Sequence, residues 1–176
     1  MSDSPQYFIE PLDAARHRRE EFACELPQLA DFLQKRARKE MEARTSACFV
    51  LVAASDPGRI GGYYPLSPTS VSSQKLPAAL TKKLPRYSEL GATLIGRLAR
   101  DIAWRGKDIG RLLLVDALRR SVRLSAEAGS VVVVTDPKDN KARAFYKTYG
   151  FQALDERRLF IPMKELIERE ARGWTA

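Results

Sequence analysis

The chain has one histidine, His17, and two cysteines, Cys24 and Cys48, and this poverty excludes whole classes of chemistry. Zinc and its relatives need thiolates, imidazoles or carboxylates clustered at short spacings. No such cluster occurs, and His17 lies in a run of charged residues, so no metal is expected. No stretch approaches the roughly 18 apolar residues of a membrane-spanning helix. The start, MSDSPQYFIE, lacks the basic residues and apolar run of an export signal. A cytoplasmic protein with reduced thiols and no membrane association is therefore expected. Internal repeats and low-complexity tracts are absent too. At 176 residues the expectation is a single domain over 1–176, with 164–176 as a tail or a short helix.

What the chain has in excess is positive charge. Thirty Lys and Arg stand against 22 Asp and Glu, a net charge of +8 and an isoelectric point near 9.7. Such a surplus favours anionic partners: nucleic acid, a phosphorylated cofactor or an acidic protein.

Apolar spacing then gives the elements. Residues 27–44 set Leu29, Phe32, Leu33, Ala37 and Met41 on one helix face and Lys35, Arg36, Arg38 and Lys39 on the other. Residues 47–54 form an apolar β run, DPGR supplies a turn, and 60–67 is the returning strand of a hairpin. Segment 68–90, with three prolines and several cations, is expected as a mobile basic loop or a short Pro-started helix. Residues 92–103 have strand character, RGKDIG at 105–110 is a tight turn, and 111–129 is a helix closed by Gly129. A buried strand at 130–137, a helix at 140–150 and a strand at 157–163 follow. This order predicts an α/β fold in which a glycine turn opens a helix at a strand end. Unpaired backbone N–H groups at such a place carry partial positive charge and suit an anion.

RGKDIG followed by RLLL, and NKARAFYKTYGF one helix and one strand later, resemble the two signature regions of the GNAT acetyltransferase superfamily. The resemblance implies a single GNAT-type α/β domain, a mixed central β-sheet flanked by helices, with acetyl-CoA as cosubstrate. It places the CoA pyrophosphate on Arg105, Gly106, Lys107, Asp108, Ile109, Gly110 and Arg111. It places the thioester carbonyl on the backbone of Leu98, Ala99 and Arg100, Asn140 and Phe145 beside CoA, and Tyr146 near the sulfur as proton donor. Asp108 stands where the middle glycine is usual; its carboxylate either turns to solvent, the favoured reading, or pairs with Lys107 or Arg111. Asn140 is open to a second reading, as the cap of its own helix.

FACELPQLADFL at 22–33, GGYYPLSPTSV at 61–71, GRLARDIAWRGKDIG at 96–110 and ARAFYKTYGF at 142–151 are similar to the GNAT toxins of bacterial toxin-antitoxin pairs. This likeness implies acetylation of the α-amine of aminoacyl-tRNA, arrest of translation, a ribbon-helix-helix antitoxin and a homodimer. The chain departs from the family at Glu25-Leu26, where a small residue and glycine are usual, a departure expected to bear on substrate choice.

Acetyl transfer requires a neutral amine, a donor for the developing oxyanion and a proton for the thiolate. No general base is visible: there is no second histidine and no Glu in the strand before the glycine turn. An α-amine, with a reference pKa of about 8 against about 10.4 for lysine, keeps a usable neutral fraction near pH 7 without one. A nearby Arg143 or Lys147 would help Tyr146 by lowering its phenol pKa, although helical neighbours lie three and four residues apart, which disfavours Lys147. The basic helix face at 35–39 and the basic loop at 75–86 are candidates for RNA phosphates, although any amphipathic helix needs a polar side. Tyr63 and Tyr64 line either a substrate pocket or the core. The alternative function is a general GNAT enzyme acting on a small amine or a protein N-terminus, and a third reading is a non-catalytic relative that has lost CoA through Asp108.

Overall fold

The computed structural model describes residues 4–174. Residues 1–3, the beginning of the N-terminal stretch read for an export signal, and residues 175 and 176 of the expected tail lie outside them. In chain order the elements are β1 (Tyr7–Pro11), α1 (Pro27–Asp31), a π-helical turn (Phe32–Arg36), α2 (Ala37–Glu42), β2 (Ala47–Ala53) and β3 (Asp56–Ser72). There follow α3 (Ala78–Thr81), β4 (Glu89–Ile95), β5 (Ala99–Arg100), α4 (Ile109–Ala128), β6 (Val132–Thr135), α5 (Asn140–Thr148), β7 (Gln152–Ala153), β8 (Leu159–Pro162) and α6 (Met163–Ala171). The chain divides into two compact units, one up to Ser67 with Gly96–Ala117, the other Pro68–Ile95 with everything from Leu118 on. Both β3 and α4 run through the two units.

In the first unit β1, β2 and β3 are antiparallel neighbours, and β5 adds to β3 through Gly62–Arg100 and Tyr63–Ala99. The apolar run of β2 is buried from Cys48 to Ala53. The helical run α1 to α2 buries Leu29, Phe32, Leu33 and Ala37 on Val50, Val52, Ile60 and Tyr63, as the spacing predicts. A Cβ at Gly62 would lie 2.7 Å from Leu113 and 2.9 Å from Ile109, so glycine there lets the start of α4 settle on the sheet.

Two expectations about the hairpin are corrected. The reversal falls at Ala54-Ser55, and Asp56 is already paired with Ala53, so DPGR belongs to the strand. Strand β3 also runs to Ser72, past the expected end at 67. Its partner β2 stops at Ala47, opposite Leu66; beyond that point Pro68 removes no ladder hydrogen bond on that side, and the proline does not end the strand.

In the second unit the end of β3 is followed by β4, β6, β8 and β7, with β4 parallel to β6 and β8 antiparallel to both β6 and β7. Its core joins Val71, Leu90, Ala92, Val132, Val134 and Phe160. The segment expected as a mobile basic loop or a short Pro-started helix contains the short helix, α3, which opens directly after Pro77; Leu80 and Leu84 lie against this core, which includes Leu76, and Lys75 pairs with Asp155 at 2.9 Å. The C-terminal segment is helical in α6, with Met163 and Leu166 buried. The fold class is the expected one, a mixed sheet with flanking helices.

Candidate active site

In the first unit the residues expected to meet the cofactor lie along one stretch, 98–111. Leu98 sits between β4 and β5, in neither strand. Asp101 N–H donates to Gly61 O at 2.9 Å, and antiparallel ladders alternate paired and unpaired residues. Ala99 N–H therefore turns to β3, while Arg100 N–H turns away from it. Of these two expected carbonyl donors, Arg100 has the N–H that β3 does not take up.

Asp101, 2% exposed, escaped the sequence reading although it fixes this stretch. One oxygen accepts from Ala103 N–H at 2.8 Å and the other from Ala23 N–H at 3.0 Å. Asp ahead of a short turn is a capping pattern, but nothing local points to Ala23.

The turn itself has two left-handed residues, Gly106 at φ 79° and Asp108 at φ 59°. Asp is among the few side chains that tolerate that region, which accounts for its standing at a glycine position. Helix α4 begins at Ile109 rather than 111, and its first hydrogen bond runs from Leu112 N–H to Asp108 O at 3.2 Å. Ile109 and Gly110 thus form the first turn, with their N–H groups at the positive end of the helix dipole.

The side chains around the turn are largely paired. Asp108 does both things proposed for it: it is 61% exposed and it accepts from Arg111 Nε. Lys107 Nζ lies 5.5 Å from the Trp104 ring. Arg105 Nη2 donates to Glu25 Oε1 at 2.5 Å, and Arg100 Nη2 is 3.6 Å from the same oxygen. The family departure at Glu25 therefore faces the cofactor turn.

In the second unit, Tyr146 lies on α5 with its ring edge-on to Phe145 and Phe151, centroids 5.5 and 5.3 Å away. Phe145 is half-buried and also meets Tyr149. Burial pushes the Tyr146 phenol up to about 12, and only the Thr135 hydroxyl pulls against it. The expectation that Arg143 or Lys147 lowers this pKa is overturned, because neither side chain acts on the phenol. Thr135 ends β6, and its hydroxyl donates its one hydrogen to Ile95 O at 3.0 Å, at the last pair of the parallel ladder. The only signal for it in the sequence was a polar residue closing the run VVVV.

Asp139, not Asn140, caps α5: its side chain accepts from Ala142 N–H at 2.8 Å. Asn140 is the first helical residue, so its amide is not needed as the cap.

Other candidates resolve toward structure. Tyr63 and Tyr64 are fully buried, their hydroxyls donating to Leu29 O and to Asp116. Both therefore belong to the core. His17 is buried, its Nδ1 accepting from Asp13 N–H and its Nε2 facing Glu10 at 2.8 Å. Both cysteines are free and burial raises both thiols. Among the described residues no group of three or more His, Cys, Asp or Glu is arranged to hold a metal, and no helix is long and apolar enough to cross a membrane.

No family model matches the chain. Among curated proteins it is 32% identical over 164 residues to one of Sinorhizobium fredii named "Probable toxin TacT", covering 88% of this chain and 90% of that one. It is 31% identical over 146 residues to the "tRNA-acetylating toxin" of Mycobacterium tuberculosis, covering 82% of this chain and 85% of that one. The chain belongs to the GNAT toxins. Among solved structures, a Tyr-to-Phe variant of KacT matches this GNAT toxin with a TM-score of 0.85 at 28% identity, over 93% of this chain and 98% of that one. AtaTR bound with AcCoA matches with a TM-score of 0.79 at 25% identity, over 92% and 96%.

Proposed function

We propose that this GNAT toxin moves the acetyl group of acetyl-CoA to the α-amine of the amino acid on a charged tRNA and so stops translation. The observation that carries the reading is the Tyr146 phenol, buried and kept protonated beside Thr135, in a chain 31% identical to a tRNA-acetylating toxin. The cofactor follows from the AcCoA-bound relative and from a turn suited to it: two left-handed residues, a helix start and four nearby cations. Residues 1–176 are read as one catalytic domain.

Acetyl-CoA supplies an activated acyl group with a thiol as leaving group. The backbone from Arg105 to Arg111 holds the pyrophosphate, and Asn140 and Phe145 flank the cofactor. Arg100 N–H, turned away from β3, stabilises the negative charge that grows on the thioester oxygen. Tyr146 gives the sulfur its proton as the C–S bond breaks and the new N–C bond forms. A phenol at about 12 lies far above a thiol at about 8.5, so free transfer is uphill. Tyr146 therefore acts as a hydrogen-bond donor until the C–S bond is largely broken, and the proton released by the amine restores it through water. Roughly a tenth of an α-amine is neutral at pH 7, which fits a site with no base.

RNA binding is assigned to 82–87. Lys82, Lys83 and Arg86 are exposed and form no ion pair among the described residues, and Tyr87 is 66% exposed beside them, a cationic and aromatic surface suited to nucleic acid. The helix face at 35–39 is a weaker candidate, because Lys35, Arg36 and Arg38 are paired with Asp31, Glu40 and Glu42 at 3.0, 2.8 and 3.0 Å. The family likeness adds an antitoxin of the ribbon-helix-helix type, a homodimer and a cytoplasmic location.

The test is transfer of labelled acetyl from acetyl-CoA to bulk aminoacylated tRNA by the native protein and by Tyr146→Phe. Label in RNA that falls at least about tenfold in the variant is expected. No label in RNA with the native protein, alongside acetylation of small amines, would overturn the RNA reading.

A further inference from the structure

Glu25 occupies a position where the family usually has a small residue, and its carboxylate is shared by two cations of the cofactor site. Arg105 Nη2 donates to it at 2.5 Å and Arg100 Nη2 lies 3.6 Å away, while Arg100 Nε is buried without a hydrogen-bond partner. The backbone that carries Glu25 is clamped beside the turn: Ala23 N–H donates to Asp101 at 3.0 Å, Ile102 N–H donates to Ala23 O at 2.9 Å, and Cys24 Sγ donates to Leu26 O at 3.0 Å. The remaining cations of the turn are engaged elsewhere, Arg111 with Asp108 and Lys107 over Trp104. One carboxylate thus holds Arg105, in the stretch assigned to the cofactor's pyrophosphate, and reaches Arg100, in the stretch assigned to its thioester.

We infer that Glu25 is an internal competitor for the phosphates of CoA. It holds Arg105 and Arg100 in the free enzyme, yields them when the cofactor binds, and keeps acetyl-CoA affinity below that of the same site without the carboxylate. This rests on the cofactor reading above. Glu25 is a positioning residue, since it acts on the cofactor through the two arginines. The pair is half exposed, at 61% for Arg105 and 47% for Glu25, so its effect is modest and screened by salt.

The test is calorimetric titration of the full chain with acetyl-CoA and with acetyl-pantetheine, which has the thioester but not the nucleotide phosphates. Glu25→Gln is expected to tighten acetyl-CoA about three- to fivefold at low salt, the size of an exposed ion pair. The gain should shrink at about 0.5 M salt, vanish for acetyl-pantetheine, and shrink when Arg105→Gln is added. Glu25→Asp, which keeps the charge, should stay near the native value, and KM for acetyl-CoA should fall in Glu25→Gln by a larger factor than kcat changes. Unchanged or weaker acetyl-CoA binding by a normally melting Glu25→Gln overturns the inference, as does an equal gain with acetyl-pantetheine. Absence of acetyl-CoA binding to both native and variant proteins would instead remove the cofactor reading itself, and the inference with it.

Discussion

A phenol pushed up to about 12 stays protonated throughout the range in which enzymes are assayed, so the pH dependence of this one must come from its substrate. Acetyl transfer to an aminoacyl-tRNA is expected to rise between pH 6 and 8 with an apparent pKa near 8, that of an α-amine, and then to hold level toward pH 10. Tyr146→Phe should lower the plateau without moving the midpoint; a midpoint that moved would assign the titration to Tyr146. The sign for stability follows from the same shift. A raised folded-state pKa favours the neutral phenol, so its contribution is present below about pH 10 and is lost as the pH climbs through 12. Asp108 gives a second test at this scale. Its left-handed φ of 59° costs a residue with a Cβ about 1 kcal/mol or more, which Asp offsets in part by local hydrogen bonding. Asp108→Ala should therefore lower Tm by about 2–4 °C, the equivalent of ~1 kcal/mol in a chain of this size, while Asp108→Gly should melt within about 2 °C of native. Equal losses in thermal denaturation would assign the effect to the ion pair with Arg111.

Helix boundaries followed side-chain chemistry that a periodicity reading blurs. Helix α4 begins two residues early because Asp108 supplies its first carbonyl acceptor, and the cap of α5 moves from Asn140 to Asp139. Asp139→Ala is expected to cost about 1 kcal/mol, seen as a fall in Tm of about 2–4 °C. Asn140→Ala should leave Tm unchanged and raise KM for acetyl-CoA, because its amide is not the cap. A matching loss of stability in both variants would return Asn140 to a structural role. The long β3 shows the same limit from the other side: Pro68 reads as a terminator in the sequence, yet it does no harm once β2 has ended opposite Leu66.

At the scale of the molecule, the surplus of +8 is distributed unevenly in its effects. Lys35, Arg36 and Arg38 on the α1–α2 face are paired along the helix, whereas Lys82, Lys83 and Arg86 face solvent without acidic partners among the described residues. Replacing these three by Ala should weaken tRNA binding and flatten its salt dependence, by up to about 0.9 in log–log slope per lost phosphate contact. The triple Ala variant at Lys35, Arg36 and Arg38 should bind within about twofold of native. Filter binding at several salt concentrations separates the two, and the opposite ranking would move the RNA contact to the helix.

The α/β order, the glycine turn and the helix that carries Tyr146 were legible in the sequence, because each depends on local spacing. What only the tertiary structure decided were the partners of charged and titrating groups. Glu25 meets Arg105 across 80 residues of sequence, Lys75 meets Asp155 across another 80, and the phenol of Tyr146, on a helix, rises through burial next to the threonine that ends β6. Pairing and desolvation are properties of neighbours in space, and residues so far apart in the chain become neighbours only when the sheet and helices have packed.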